Sequence, residues 1–230
     1  SIKTRIGVEN PDEFERLLDI FSQYPIQKLI VHPRVLKEFY KGNVHREAYV
    51  RAKERLSAVA ADVETVGWTI PVCYNGDLFS VSDTKRFLVE YPDADDLMFG
   101  RGMLIDPALV MRLRARNADM AEASFAKQLR AKCADPVEEN AERLRTRGTG
   151  NAAKRVSDIR DFYARLAEDY AAVLSGERDV LFKMKELWGW QGQLFEGSEK
   201  YLKKIRKAQK MTEYKSAVAA LFADCPIKDA

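Results

Sequence analysis

The chain has 230 residues and a formal net charge of +3, and 46% of it is hydrophobic, enough apolar material for one good core or two small ones. No apolar run reaches the roughly 18 residues of a membrane span, and no basic-then-apolar leader opens the sequence. Cys73, Cys133 and Cys225 are odd in number and widely spaced, which fits neither a CxxC zinc pattern nor a disulfide framework. The expectation is a cytoplasmic protein without a membrane segment or a metal site.

Up to about residue 115, short apolar runs alternate with helical patterns. Residues 2–8 read as a strand, and Asn10-Pro11 then starts a helix with Phe14, Leu17, Leu18 and Phe21 on its apolar side. Residues 27–32 hold Leu-Ile-Val, the β-favouring run of a strand buried on both faces. A helix over about 46–65, a strand over 69–74 closed by Asn75-Gly76-Asp77, a helix over 82–91 and a strand over 96–99 complete the series. Four β-α units in succession predict parallel strands joined by crossover helices. From about Asp106 the periodicity is helical only, broken at Asp135-Pro136 and over 146–151, within which the glycine-rich 148–151 reads as a hinge or loop. Apolar spacing over 156–174, 180–190, 194–208 and 212–222 predicts a small helical bundle.

In parallel β-α proteins, function gathers past the C-terminal strand ends. The first strand offers Lys3 and Arg5 on one face, the second His32 and Arg34, the third Asn75, Gly76 and Asp77, and the fourth Gly100 and Arg101. As a set they suit a phosphorylated cofactor with a polar ring. Gly100 and Gly102 let backbone N–H groups approach a phosphate and Arg101 clamps it, while Lys3 stabilises negative charge on a reduced flavin ring.

The runs IKTRIGV, LIVHPRVLKEFYKG, IPVCYNGDLFS and DDLMFGRGMLIDP, in that order and spacing, resemble the landmarks of the tRNA-dihydrouridine synthase family. The tail with LFKMKELWGW and a Lys-rich helix is more loosely similar to the family's C-terminal tRNA-binding domain. The resemblance implies an α/β fold, a partial TIM barrel (its second half, four β-α units) at 1–110 that binds FMN, followed by an all-α helical tRNA-binding bundle at 111–230. It implies an oxidoreductase in which NADPH reduces FMN, and the flavin passes hydride to C6 of a uridine flipped out of tRNA, giving 5,6-dihydrouridine. It places Lys3, His32, Asn75, Gly76, Asp77, Gly100 and Arg101 on FMN, and Arg34 and Tyr40 toward the uridine or its backbone.

The sequence departs from the family in one large way. A complete barrel needs eight units, typically about 250 residues, and only four precede the helices here. The family's catalytic cysteine, which protonates C5, has no counterpart. Cys73, Cys133 and Cys225 read as packing or surface residues. The chain is therefore expected to be a fragment, inactive alone, that arises by truncation, proteolysis or an incomplete gene model; a split protein completed by the N-terminal half of the barrel as partner is the less favoured alternative. Two other readings stand beside the synthase: an RNA-binding fragment without activity, and another FMN barrel oxidoreductase acting on a small molecule.

Residues 198–215 hold seven Lys/Arg against Glu199 and Glu213. Placed beside the resemblance, Lys183, Lys185, Lys203, Lys204, Lys207 and Lys210 become candidate tRNA phosphate contacts. Spacing puts Lys203, Lys207 and Lys210 on one helix face. Trp188 and Trp190 belong to an apolar stripe and read as core.

Overall fold

A computed structural model describes residues 1–61, 69–119 and 152–228. Cys133 and the hinge or loop expected at 148–151 lie outside them. The chain forms two compact units, one comprising Ser1–Leu78 and Asp83–Gly100, the other Phe79–Ser82 and Arg101–Ala230.

In the first unit, β1 (Ile2–Arg5), β2 (Leu29–His32), β3 (Val72–Tyr74) and β4 (Asp96–Leu97) form one parallel sheet in the order β1-β2-β3-β4. Helices α1 (Glu13–Phe21), α2 (Arg46–Ala61) and α3 (Val81–Glu90) supply the crossovers. The strand order never reverses. Right-handed crossovers made always in one direction put every helix on the same face of the sheet. Leu29, Val31, Val72 and Tyr74 accordingly share a core with Phe14 and Leu18 of α1, Ala48, Tyr49, Ala52 and Leu56 of α2, and Phe87 of α3. Each valine, leucine or phenylalanine among them contributes about 1.5–3 kcal/mol by leaving water.

The alternate residues point to the other face. The register pairs Lys3 with Ile30 and Ile30 with Cys73, Cys73 with Asp96, and Arg5 with His32. Among the described residues of this unit, that face carries no helix. On that face Arg5 and His32 stand paired at the C-terminal strand ends, and Lys3 lies one pleat earlier, beside Ile30.

The second unit is helical, comprising α4 (Arg101–Ile105), α5 (Leu109–Asp119), α6 (Ala152–Val173), α7 (Glu177–Gln191), α8 (Glu199–Lys207) and α9 (Met211–Asp224). Trp188 sits at its centre, 1% exposed, with Tyr163, Phe195 and Phe222 around it. Its indole N–H donates to the Tyr214 hydroxyl at 2.7 Å. Phe195 and Ile227 form an antiparallel bridge that ties down the C-terminal segment. No helix among the described residues is long and apolar enough to cross a membrane.

Asp106 is the charged anchor of this unit. Its carboxylate, 3% exposed, accepts from Arg112 at 2.7 Å, from Arg155 at 3.2 Å and from the Ala108 backbone N–H at 3.0 Å. One buried carboxylate thereby joins α6 to the start of α5. Asp106→Asn keeps the shape but leaves two neighbouring guanidinium groups without their shared anion. It should lower stability by about 2 kcal/mol, less than for a fully buried pair because both arginines reach solvent. Urea denaturation of the two forms checks this.

Two sequence expectations change. Gly102, expected to open its backbone to a phosphate, is buried within α4, which begins at Arg101. The helix carrying Lys203 and Lys207 ends at Lys207, and Lys210 lies beyond it with extended backbone before α9. Lys210 therefore does not share their helix face. The apolar spacing breaks there, but the cations at 203, 207 and 210 keep helical spacing across the turn.

Candidate functional site

The β1–β2 pairing continues past the strand ends. Ile6 N–H donates to Arg34 O, Leu36 N–H to Gly7 O at 2.9 Å and Lys37 N–H to Val8 O at 3.1 Å. The first loop is held from below by Glu13, whose carboxylate accepts from the backbone N–H groups of Val8, Glu9 and Asn10 at 2.7–3.0 Å. Those bonds, that from Val8 first, hold its pKa below the ordinary carboxylate value. A depressed folded-state pKa means that the contribution is present above the ordinary range and fades as pH falls through the folded value. Glu13→Gln should therefore show a smaller drop in urea midpoint between neutral pH and about pH 4 than the parent chain.

Past β2, Arg34 is almost fully buried. It donates to both carboxylate oxygens of Asp77, at 2.8 and 2.6 Å, and to Gly42 O at 2.8 Å, and it lies 3.5 Å from His32 Nε2. The β3 loop and the β2 loop are clasped by this fork. Asn75 gives its side-chain N–H to Met98 O at 2.8 Å, which ties the β3 end to the segment after β4. Gly76 has a packing reason to be glycine, because a Cβ there would stand 2.0 Å from the Tyr74 hydroxyl. At Gly100 nothing lies within 4 Å of a Cβ position, so that backbone is open to approach.

Tyr40 stacks on His32, with ring centroids 5.8 Å apart, and the Arg5 guanidinium lies 5.4 Å from the Tyr40 ring centre. Arg5 also donates to Val35 O and Phe39 O. Lys3 and Arg5 stand two residues apart on the helix-free face. Burial, then the Arg5 charge, lower the Lys3 pKa, and nearby Cys73 partly offsets them. The Cys73 thiol is pushed up to about 12, by burial and then by Asp96. Neither Cys73 nor Cys225 is exposed.

The sheet thus brings Lys3, Arg5, His32, Asn75, Gly76, Asp77 and Gly100, with Arg34 and Tyr40, to one edge of the first unit. Arg34 and Asp77 turn their charges on each other. Arg101 belongs to the second unit, where its guanidinium lies 4.9 Å from the Phe79 ring centre and 5.7 Å from that of Trp190. Two features are not foreseen from the sequence: the Arg5 contacts with Val35 O, Phe39 O and the Tyr40 ring, and the Glu38–His45 contact at 2.8 Å that braces the loop under Tyr40. Lys-x-Arg alternation signals the face of Arg5; nothing local signals the contacts.

Among the lysines of the second unit, Lys183 pairs with Glu186 at 3.2 Å and Lys185 caps α8 by donating to Ala208 O at 2.8 Å. Tyr201 and Ile205 turn α8 inward, so Lys203, Lys204 and Lys207 are exposed, as is Lys210.

Residues 1–186 match the family model described as dihydrouridine synthase. The chain belongs to that family. It is 28% identical over 113 residues to the tRNA-dihydrouridine(16) synthase of Pseudomonas putida, a match covering 49% of this chain and 31% of that protein. It is 32% identical over 90 residues to tRNA-dihydrouridine synthase B of Pasteurella multocida, covering 39% and 23%. Against the tRNA-dihydrouridine(16) synthase of Ralstonia nicotianae it is 27% identical over 143 residues, covering 57% and 40%. The chain spans about a third of the length of the curated relatives it matches. Within the dihydrouridine synthase family, whose fold is a TIM barrel, the parallel β-α units are a partial barrel followed by a helical region.

Proposed function

We propose that the chain serves a flavin-dependent tRNA-dihydrouridine synthase, with FMN held at the strand ends of the first unit, NADPH as reductant and uridine in tRNA as substrate. The observation that supports this most is the convergence of Lys3, Arg5 and His32 on the helix-free face, in a chain of this family. Two cations and an imidazole side by side suit an anionic, phosphorylated ring system. Bound there, FMN would supply hydride transfer from NADPH to C6 of the uridine.

Lys3 and His32 are assigned to the flavin ring, where Lys3 and Arg5 stabilise negative charge. Asn75, Gly76 and Asp77 are assigned beside it, with Asn75 and Asp77 acting by fixing their loop through Met98 O and Arg34. Gly100 and Arg101 are assigned to the phosphate. Arg34 holds the β2 loop so that Tyr40 keeps its place over His32, and Tyr40 faces the uridine. Cys73 is assigned no part as a proton donor, because it is buried within β3.

For tRNA, the exposed Lys203, Lys204 and Lys207 of α8 and Lys210 after it are assigned to phosphates, with Lys183 and Lys185 supporting from α7. Lys203→Glu with Lys207→Glu should weaken tRNA binding at least tenfold and reduce the slope of log affinity against log salt by roughly one for each phosphate no longer engaged. Filter binding at several salt concentrations checks this. Unchanged affinity favours an enzyme acting on a small molecule. The activity itself is tested by the dihydrouridine content of tRNA from cells with the gene disrupted. Loss of the modification, restored by the gene but not by its Lys3→Ala form, supports the proposal; unaltered dihydrouridine contradicts it.

A further inference from the structure

We infer that the turn after β2 presents Phe39 as a stacking platform for an unpaired RNA base next to the one held at Tyr40. The inference rests on the tRNA reading above and adds a residue and a contact to it. Phe39 is 65% exposed and takes φ +50°, the one non-glycine residue with positive φ among the described residues. A bulky residue in that region is an outlier, and such outliers persist only where the surroundings over-determine them.

The surroundings do so here. Arg5 of β1 donates to Phe39 O at 3.0 Å, and Phe39 N–H donates to Leu36 O at 3.1 Å. Glu38 accepts from Val35 N–H at 2.8 Å and meets His45 Nε2 at 2.8 Å, while Arg34 holds Gly42 O. The backbone is pinned from several elements, and the result is a large apolar ring pointed at solvent. A loop serving only to connect β2 to α2 would have glycine or asparagine at such a position.

The chemistry around the ring favours a nucleobase. Tyr40, 54% exposed, offers a second ring beside it, backed by Arg5. Lys37 and Lys41 stand exposed on either side, with Lys37 also reaching Glu9. Adjacent aromatic faces flanked by cations form the recurring platform for single-stranded nucleic acid, since every base has a π face and every nucleotide a phosphate.

The test uses Phe39→Gly and Phe39→Trp in the 230-residue chain. Affinity is read by fluorescence anisotropy with a short labelled oligouridylate and with tRNA, and stability by urea midpoint. Glycine adopts the backbone without strain, so Phe39→Gly should keep or raise the midpoint while weakening oligouridylate binding roughly tenfold. Phe39→Trp should bind at least as well as the parent. Parent-like oligouridylate affinity in Phe39→Gly overturns the platform alone. A lowered midpoint in Phe39→Gly also overturns it, because the ring would then be packing against protein. A parent chain that binds neither RNA overturns the tRNA reading beneath it as well.

Discussion

Trp188→Ala is expected to destabilise the helical unit by about 4 kcal/mol, the range for truncating a large core aromatic. Trp188 is 1% exposed and fills the space between Tyr163, Phe195 and Phe222, so deletion leaves a cavity that three rigid rings cannot close. The Tyr214 hydroxyl adds to the loss. It accepts the indole N–H, and burial pushes its pKa up to about 12, so without that donor it faces an apolar interior. Trp188→Phe should cost about half as much, because the ring volume is largely kept and the hydrogen bond is not. Both variants, while folded, should bind tRNA with parent-like affinity. Near-neutral stability with weakened tRNA binding would instead make this indole a base-stacking surface. Thermal melts together with filter binding distinguish the two.

The second large effect is expected at the clasp between strand ends. Arg34→Ala removes three donated hydrogen bonds and the charge partner of Asp77, and should lower stability by about 3 kcal/mol. The figure is held below that of a fully enclosed pair because Asp77 retains about a third of its side-chain exposure. Arg34→Lys should recover little, because an ammonium cannot engage both carboxylate oxygens and Gly42 O together. Arg34→Ala combined with Asp77→Ala should lose less than the sum of the single changes. With the clasp open, the β2 loop is free to lift Tyr40 from His32. Arg34→Ala should therefore weaken flavin and RNA binding even where the chain stays folded. Additive losses in the double variant would show that the pair acts separately.

The α/β alternation was legible because its signals are local. Leu-Ile-Val before His32 and Val-Cys-Tyr before Asn75-Gly76-Asp77 are β-favouring runs closed by turn residues, and both form strands. Polar residues following each run place themselves at strand ends, whatever the rest of the chain does. The pairing of those residues was not legible. Arg34 and Asp77 are 43 positions apart, and only the finished sheet brings their loops together. Helix α4 was hidden because glycines at 100 and 102 flank Arg101, and glycine has low helix propensity. Its helical state is set by tertiary packing, with Ile105 buried in the core of the second unit. The end of α8 was legible in the apolar spacing, but cations at 203, 207 and 210 continue the helical spacing across it and so suggested one shared face.

Asp106 is a further case of what sequence alone conceals. It stands in a run that reads as a family landmark, yet its contacts with Arg112 and Arg155 make it a structural anchor. Phe39 lies in another such run, and its backbone angle becomes visible only in three dimensions.

Lys3, Arg5 and His32 share the face on which the proposed flavin nucleotide binds. Titrating FMN into the purified chain and following the quenching of flavin fluorescence tests that directly. Saturable quenching that weakens at least tenfold in Lys3→Ala is the expected result. Absence of saturation, or equal affinity in the two proteins, would contradict it.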